Sequence, residues 1–386
     1  MLVTEPCSLR RSHPRAGAEL STSVAVIGAG VTGTGTAWQL AKRGHSVLLA
    51  DPSLATPIPD TPADRHLNGS TASLGVLMGH AFRRSSGRAW RLRQRSMALW
   101  PAWVEQLNHP ESPLALETPL IQLAGSAEEA QWLNQLASAR PGSGLQFIDN
   151  TRLQKADPAW PQVGHGAMLS ERDGRIDPLR LLKALRRGLT EQNIACLATA
   201  VVELQRLNSG NRQRRWRIKT TDGTSEDVDR VVICSALGSN ALLQNLGHQR
   251  PMEPVLGQVL ELQLNNPPGQ WTAWPAVLTC GGINLIPHGQ DRLWIGATLE
   301  PGTTADHAAA DTMKRLNDLA PTWFEDTTLA GQWSGLRARP IERPAPLLEE
   351  LEPGLLLASG HYRNGVLLTP ATAEWVCEQI ENAQMS

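Results

Sequence analysis

The apolar and polar pattern first becomes regular at SVAVIGAG, residues 23–30, a β-branched run ending in glycines. TGTGTAWQLAKRG reads as a helix stopped by Gly44, and VLLAD, 47–51, as the next strand. Strand, tight turn, helix and strand in succession predict a parallel sheet covered by helices. From Arg83 to Leu107, Trp90, Met97, Leu99 and Trp103 fall among arginines in a helical pattern; a strand at 119–123 and a helix at 127–138 follow. IDPLRLLKALRRGLTEQ, 176–192, has Pro178 where a first helical turn tolerates it and leucines along one stripe. VVELQRL, RWRIKT and RVVICSA, separated by NSGNR and DG-containing segments, predict a three-stranded meander. VLGQVLELQL, INLIPHG and RLWIGAT add strands, and a helix is expected around Ala308 to Leu319. LLLASG, the loop GHYRNGVLL and a helix from Pro370 to about Gln379 close the chain.

Length and composition narrow the class. A chain of 386 residues exceeds one ordinary core, so two domains are expected, with segments of one interleaved with the other. Hydrophobic residues at 41% and charged residues at 19% suit a soluble globular enzyme and exclude a disordered or fibrous chain. A net charge of −1 gives no global attraction to nucleic acid or acidic membranes. The five cysteines never occur as CxxC, which argues against a disulfide framework and a thiolate metal site; no metal is expected, and a reducing cytoplasm fits. Ser21 to Gln39 is too broken by glycines to span a membrane. MLVTEPCSLRRSHPRAGAEL lacks an apolar h-region, so residues 1–21 read as a flexible extension, not a secretory signal.

Gly28, Gly30 and Gly33 form GxGxxG directly after a strand and at the start of a helix. The first glycine makes the turn, the second admits a pyrophosphate, and the third lets helix and strand pack closely, with Val31 and Thr32 in the first helical turn. Asp51, followed by Pro52, ends the second strand at about the ~20-residue spacing expected of the acid that binds a ribose hydroxyl. The pattern implies a dinucleotide without separating NAD from FAD.

Beyond Asp51, NGSTASLGVLMGH resembles the loop that follows this fingerprint in the FAD-dependent D-amino acid oxidase and glycine oxidase family. There Gly69, Ser70, Thr71, Leu74, Gly75 and Val76 would offer backbone donors and little bulk beside a planar ring; a polar surface loop is the competing reading. DGRIDPLRLLKAL, TAVVEL, RVVICSALGS, PVLGQVLEL, INLIPHGQDRLWIGATLE, WSGLRARP and GHYRNGVLLTPATA are similar to family segments in the expected order, over most of residues 22–380. Glycine oxidase, an enzyme linked to thiamine biosynthesis, is the nearest branch. The resemblance implies an α/β chain, α+β overall, of the glutathione reductase and D-amino acid oxidase type. A Rossmann-like FAD-binding domain would take 22–80, 160–245 and 331–386, and a discontinuous, sheet-based substrate domain 81–159 and 246–330. It also implies non-covalent FAD, with Val201 at the adenine through its backbone. Ala236 stands where the family usually has a glycine. The final loop, Gly360, His361, Tyr362, Arg363, Asn364, Gly365, Val366 and Leu367, would present backbone N–H groups to the flavin.

The implied activity is oxidation of a small amine or amino acid by hydride transfer to flavin N5, giving an imine that hydrolyses, with O2 or another electron acceptor. An arginine suits the substrate carboxylate because its planar fork pairs with both oxygens. Arg337 is the anchor the resemblance implies, with an ion pair to a carboxylate such as Glu342 as the competing use; Arg363 lies near the substrate, and His80 could reach the pocket. Asn284 replaces a frequent family tyrosine, and His288 is a weaker candidate. Arg84, Arg88, Arg91 and Arg95 would align on one helix face. That stripe keeps open a flavin-dependent tRNA wobble-uridine modification enzyme, although a solvated face is the simpler reading. Asn284 and Ala236 keep open a non-catalytic flavin-binding protein. Homo-oligomerisation is compatible with the chain.

Overall fold

The computed structural model describes residues 21–62, 66–156, 159–161, 163–207, 216–268 and 271–385. The proposed N-terminal extension, apart from Ser21, and the start of NRQRRWRIK lie outside the described residues. The chain packs as two units, each discontinuous: one holds the residues up to Pro59, Arg180–Glu253 and Ala338–Ser386, the other Asp60–Leu179 and Pro254–Arg337. Residues 60–80 and 160–179 therefore group with the second unit, unlike the division expected from sequence. One cause is pairing of Val76–Leu77 with Gly174–Arg175.

The first unit contains a six-stranded sheet in the order Leu347–Glu352, Leu355–Ser359, Arg230–Ile233, Ser23–Ile27, Ser46–Ala50, Ala195–Leu197. All neighbours are parallel except the first pair. Burial of both faces explains the continuous apolar run at 24–27. Val24 and Val26 pack with Ala37 and Leu40 of the helix Val31–Lys42 and with Val376 and Ile380 of the helix Gly365–Met385. Ala25 and Ile27 face Leu204, Trp216 and Ile218. Those three belong to an antiparallel sheet of Val201–Arg206, Trp216–Thr220 and Ser225–Val228. The expected meander thus exists with a different third strand: Arg230–Ile233 joins the parallel sheet, as its fully buried residues require.

The second unit is built on a ten-stranded sheet whose long strands are Met252–Leu264 and Thr327–Pro340. Alternation along these strands supplies two cores. Leu260, Leu262, Leu285, Leu293 and Ile295 face Trp271, Trp274 and Phe324, whereas Val259, Ile286, Trp294 and Trp333 face Ala72 and Leu74. Trp271 and Trp274 are core residues, with ring centroids 5.0 Å apart. Each such fully buried large side chain contributes about 1.5–3 kcal/mol. The arginine-rich helix begins at Gly87, so Arg83 and Arg84 precede it. Only Arg88, Arg91 and Arg95 of the expected stripe lie on the helix, and all are exposed. Among the described residues, no helix is long and apolar enough to cross a membrane.

Candidate active site

The candidate residues fall into two groups, one in each unit. In the first, the strand Ser23–Ile27 delivers the chain into the glycine turn. A side chain at Gly33 would overlap the carbonyl oxygen of Gly28, and one at Gly28 would lie 2.8 Å from the Cys234 carbonyl carbon. The turn is fixed by backbone on backbone. Gly30 then N-caps the helix Val31–Lys42 in an extended conformation, with no acidic residue in the first turn, which includes Val31, Thr32 and Gly33. The positive end of the helix dipole is therefore not neutralised by a carboxylate of its own first turn.

Asp51 lies at the end of the second strand as expected and has a further task. Its Oδ2 accepts from Ala29 N–H at 2.9 Å and its Oδ1 from Ser53 N–H at 2.7 Å, stapling the glycine turn to the short 3-10 helix that opens at Pro52. Arg186 secures that helix from outside, donating to Ser53 O at 2.8 Å and to Thr56 O at 2.5 Å. Val201 opens the three-stranded sheet, half-buried and paired with Thr220. Ala236 is exposed at φ +50, a left-handed conformation that favours glycine.

The closing loop follows the strand Leu355–Ser359. Gly360 packs tightly, because a Cβ there would lie 2.8 Å from Pro340. His361 is buried, its Nε2 2.9 Å from Thr372 Oγ1, so its ring turns into the unit. Tyr362 takes φ +56, Arg363 is exposed, and Asn364 accepts at its carbonyl from Leu368 N–H. The helix starts at Gly365, five residues before the expected Pro370, and Gly365, Val366 and Leu367 form its first turn, again without an acidic residue. Arg339 is held above its ordinary pKa, chiefly by its hydrogen bond to Glu253; burial opposes this, and nearby Tyr362 adds to it.

In the second unit, the small-residue loop spends its N–H groups internally. Asn68 Oδ1 accepts from Ser70 and Thr71 N–H at 3.0 and 2.9 Å, and Gly75 N–H donates to Ser73 Oγ. The backbone donors expected at Ser70, Thr71 and Gly75 are therefore already engaged, and low bulk is what those residues offer a planar ring. Gly69 passes close to the Leu336 carbonyl, Leu74 is buried, and Val76 enters a short strand. Trp333 fixes the loop by donating to Ala72 O at 3.1 Å.

His80 projects from a backbone clamped on both sides. Fully buried Asp173 accepts from Gly79, His80 and Ala81 N–H at 2.9, 2.9 and 2.7 Å. Arg140 donates to the carbonyls of His80, Phe82 and Arg84. Burial lowers the His80 pKa, Asp173 opposes, and Arg172 and Arg140 add to the lowering, so a neutral imidazole is favoured. Neither clamp residue was recognised in the sequence, because Asp173 and Arg140 reach the His80 segment from 93 and 60 residues away.

Arg337 lies half-buried on the strand Thr327–Pro340, its Nη1 donating to Leu256 O at 3.1 Å and Thr298 O at 3.0 Å. Asn284 pairs across the sheet with Gly296, and Gly296 with Val259. Cross-strand partners share a face, so Asn284 lies on the same face as Val259 and as Gly257, against which Arg337 rests. Asn284 Oδ1 accepts from Thr279 Oγ1 at 3.0 Å. His288 stacks on Trp294 with centroids 4.1 Å apart, and burial lowers its pKa.

These features suit FAD. The fingerprint offers a helix N-terminus to an anionic pyrophosphate, a second helix N-terminus follows the closing loop, and Asp51 stands at the end of the second strand. Comparison with known proteins agrees. The sequence profile of the family described as FAD dependent oxidoreductase matches residues 23–379. The chain is 29% identical over 374 residues to glycine oxidase of Geobacillus kaustophilus, covering 94% of this chain and 93% of that protein. It is 27% identical to glycine oxidase of Pseudomonas putida, covering 95% and 96%. The crystal structure of the Geobacillus kaustophilus enzyme superposes with a TM-score of 0.79 at 26% identity, covering 94% of this chain and 95% of that one. With the profile spanning nearly the whole described chain, the protein belongs to the family of FAD-dependent oxidoreductases.

Proposed function

We propose that the protein oxidises a small amino acid at its Cα–N bond, with glycine the first candidate. The observation that carries this reading is Arg337: a guanidinium held in place by two backbone carbonyls is a suitable anchor for a carboxylate. The relatives named glycine oxidase support the same substrate class.

Bound FAD supplies the two-electron acceptor this oxidation needs. The glycine turn and the first turn of Gly365–Met385 would hold it, with Asp51 toward a ribose. Arg337 would orient the substrate by its carboxylate, so that the reaction depends on positioning more than on a strong base. A neutral His80 adds no positive charge to oppose the substrate amine. Loss of a hydride from Cα and a proton from nitrogen leaves an imine, which water hydrolyses; the electrons pass on to O2 or another acceptor. Mixing the flavin-loaded protein anaerobically with a panel of small amino acids tests the proposal. Bleaching of the flavin absorbance by glycine or a close relative is expected. Bound flavin that no member of the panel bleaches would overturn it and favour a non-catalytic flavoprotein.

A further inference from the structure

Arg337 lies against Gly257 of a neighbouring strand. A Cβ at position 257 would overlap Nη1, Nη2 and Cζ of the guanidinium, so the missing side chain is what leaves room for it. The two carbonyls that receive Nη1, at Leu256 and Thr298, adjoin a buried polar cluster. Thr298 Oγ1 accepts from Gln258 N–H at 2.7 Å and donates to Glu300 Oε1. Gln258, fully buried, donates from Nε2 to Glu300 Oε1 at 2.9 Å and to Asp306 O at 2.8 Å. Its Oε1 accepts from Gln332 Nε2 at 2.6 Å. Asp306 N–H donates to Glu300 Oε2 at 2.5 Å. Glu300 is thus buried with three donors on its two oxygens.

We infer that Gly257, Thr298 and Glu300 are positioning residues that set the aim of the Arg337 guanidinium, and through it the affinity for a substrate carboxylate. This rests on the reading of Arg337 as the carboxylate anchor. A two-point charge-assisted pair depends on the geometry of both hydrogen bonds, so a displaced guanidinium loses much of its hold on the carboxylate. Gly257→Ala moves the guanidinium directly. The displaced group is the end of a flexible side chain, so the strand need not yield. Glu300→Gln keeps the shape but brings a donor into an all-acceptor position: its NH2 faces either Asp306 N–H or Gln258 Nε2, whichever way the amide turns.

The test uses the flavin-loaded full chain, glycine as substrate and acetate as a carboxylate probe read by calorimetry. Gly257→Ala should raise KM for glycine by about thirtyfold, with kcat at saturation changed less than about threefold, and should weaken acetate binding in the same proportion. Glu300→Gln should show the same split at about tenfold. Thr298→Val should follow it, and Thr298→Ser, which retains the hydroxyl, should stay within about twofold of the parent. If Glu300→Gln fails to fold, Gly257→Ala and the Thr298 pair decide. Unchanged glycine and acetate binding in Gly257→Ala and Thr298→Val, while Arg337→Ala loses both, would overturn the inference and leave the anchor reading standing. Unchanged binding in Arg337→Ala would overturn the anchor reading itself.

Discussion

The glycine turn of the first unit and the arginine bed of the second both depend on a missing side chain, but what they make room for differs. At Gly33 the room is taken by the Gly28 carbonyl, part of a rigid turn; at Gly257 it is taken by the mobile end of Arg337. The turn is a fixed frame. The bed is adjustable, because a guanidinium can shift and leave the sheet intact. Changes in the turn should therefore act through folding and cofactor retention, and changes in the bed through affinity.

Gly33→Ala gives the largest expected effect. Backbone cannot retreat as a side chain does, so the purified variant should lose most of its bound FAD and unfold at a lower temperature, read by flavin absorbance and thermal melting. Retention of parental flavin content would erase the contrast between frame and bed. Arg337→Ala should leave flavin content intact and lower kcat/KM for glycine by at least about a hundredfold, the scale of a lost charge-assisted pair.

Acid sensitivity is expected to be intermediate. His45 is buried beside the first helix, with neither ring nitrogen hydrogen-bonded among the described residues. Burial lowers its pKa below the ordinary 6.5, Glu381 opposes, and Arg43 adds to the lowering. Between the lowered folded value and 6.5 the unfolded chain binds more protons, so His45 destabilises the fold as pH falls through that window. Melting temperature should drop from about pH 7.5 to about pH 5.5, and His45→Leu should reduce the drop. An unchanged drop in His45→Leu would assign the effect elsewhere, including to His80 and His288, whose pKa values are lowered in the same direction.

Two smaller effects sharpen the picture of the frame. Ala236→Gly removes the cost of a left-handed alanine, about 1–2 kcal/mol, against a loss of about 0.4–1 kcal/mol through greater freedom of the unfolded chain. A small net stabilisation in denaturant melts is expected. Tyr362→Phe should leave the flavin reduction rate nearly unchanged; a large loss would give catalytic weight to its hydroxyl.

The frame was legible in the sequence because its logic is local: SVAVIGAG, the following helix and Asp51 sit within one stretch of chain. Of the two long strands, the alternation in VLGQVLELQL announced Met252–Leu264, whereas Thr327–Pro340 was met only as the family-like segment WSGLRARP, without a strand being read there. The bed was not legible, because Gly257, Thr298, Glu300 and Arg337 come from separate segments brought together only by strand pairing. The same reason hid the Asp173 and Arg140 clamp. The start of the last helix was missed because Pro370 was read as its beginning, whereas it lies inside the helix Gly365–Met385.

The most direct test of the account compares anaerobic flavin reduction by glycine and by methylamine, which differs by lacking the carboxylate, in the parent and in Arg337→Ala. Glycine is predicted to be favoured by at least about a hundredfold in the parent, with the preference largely gone in the variant. A parent that does not distinguish the two amines, or a variant that keeps the full preference, would contradict it.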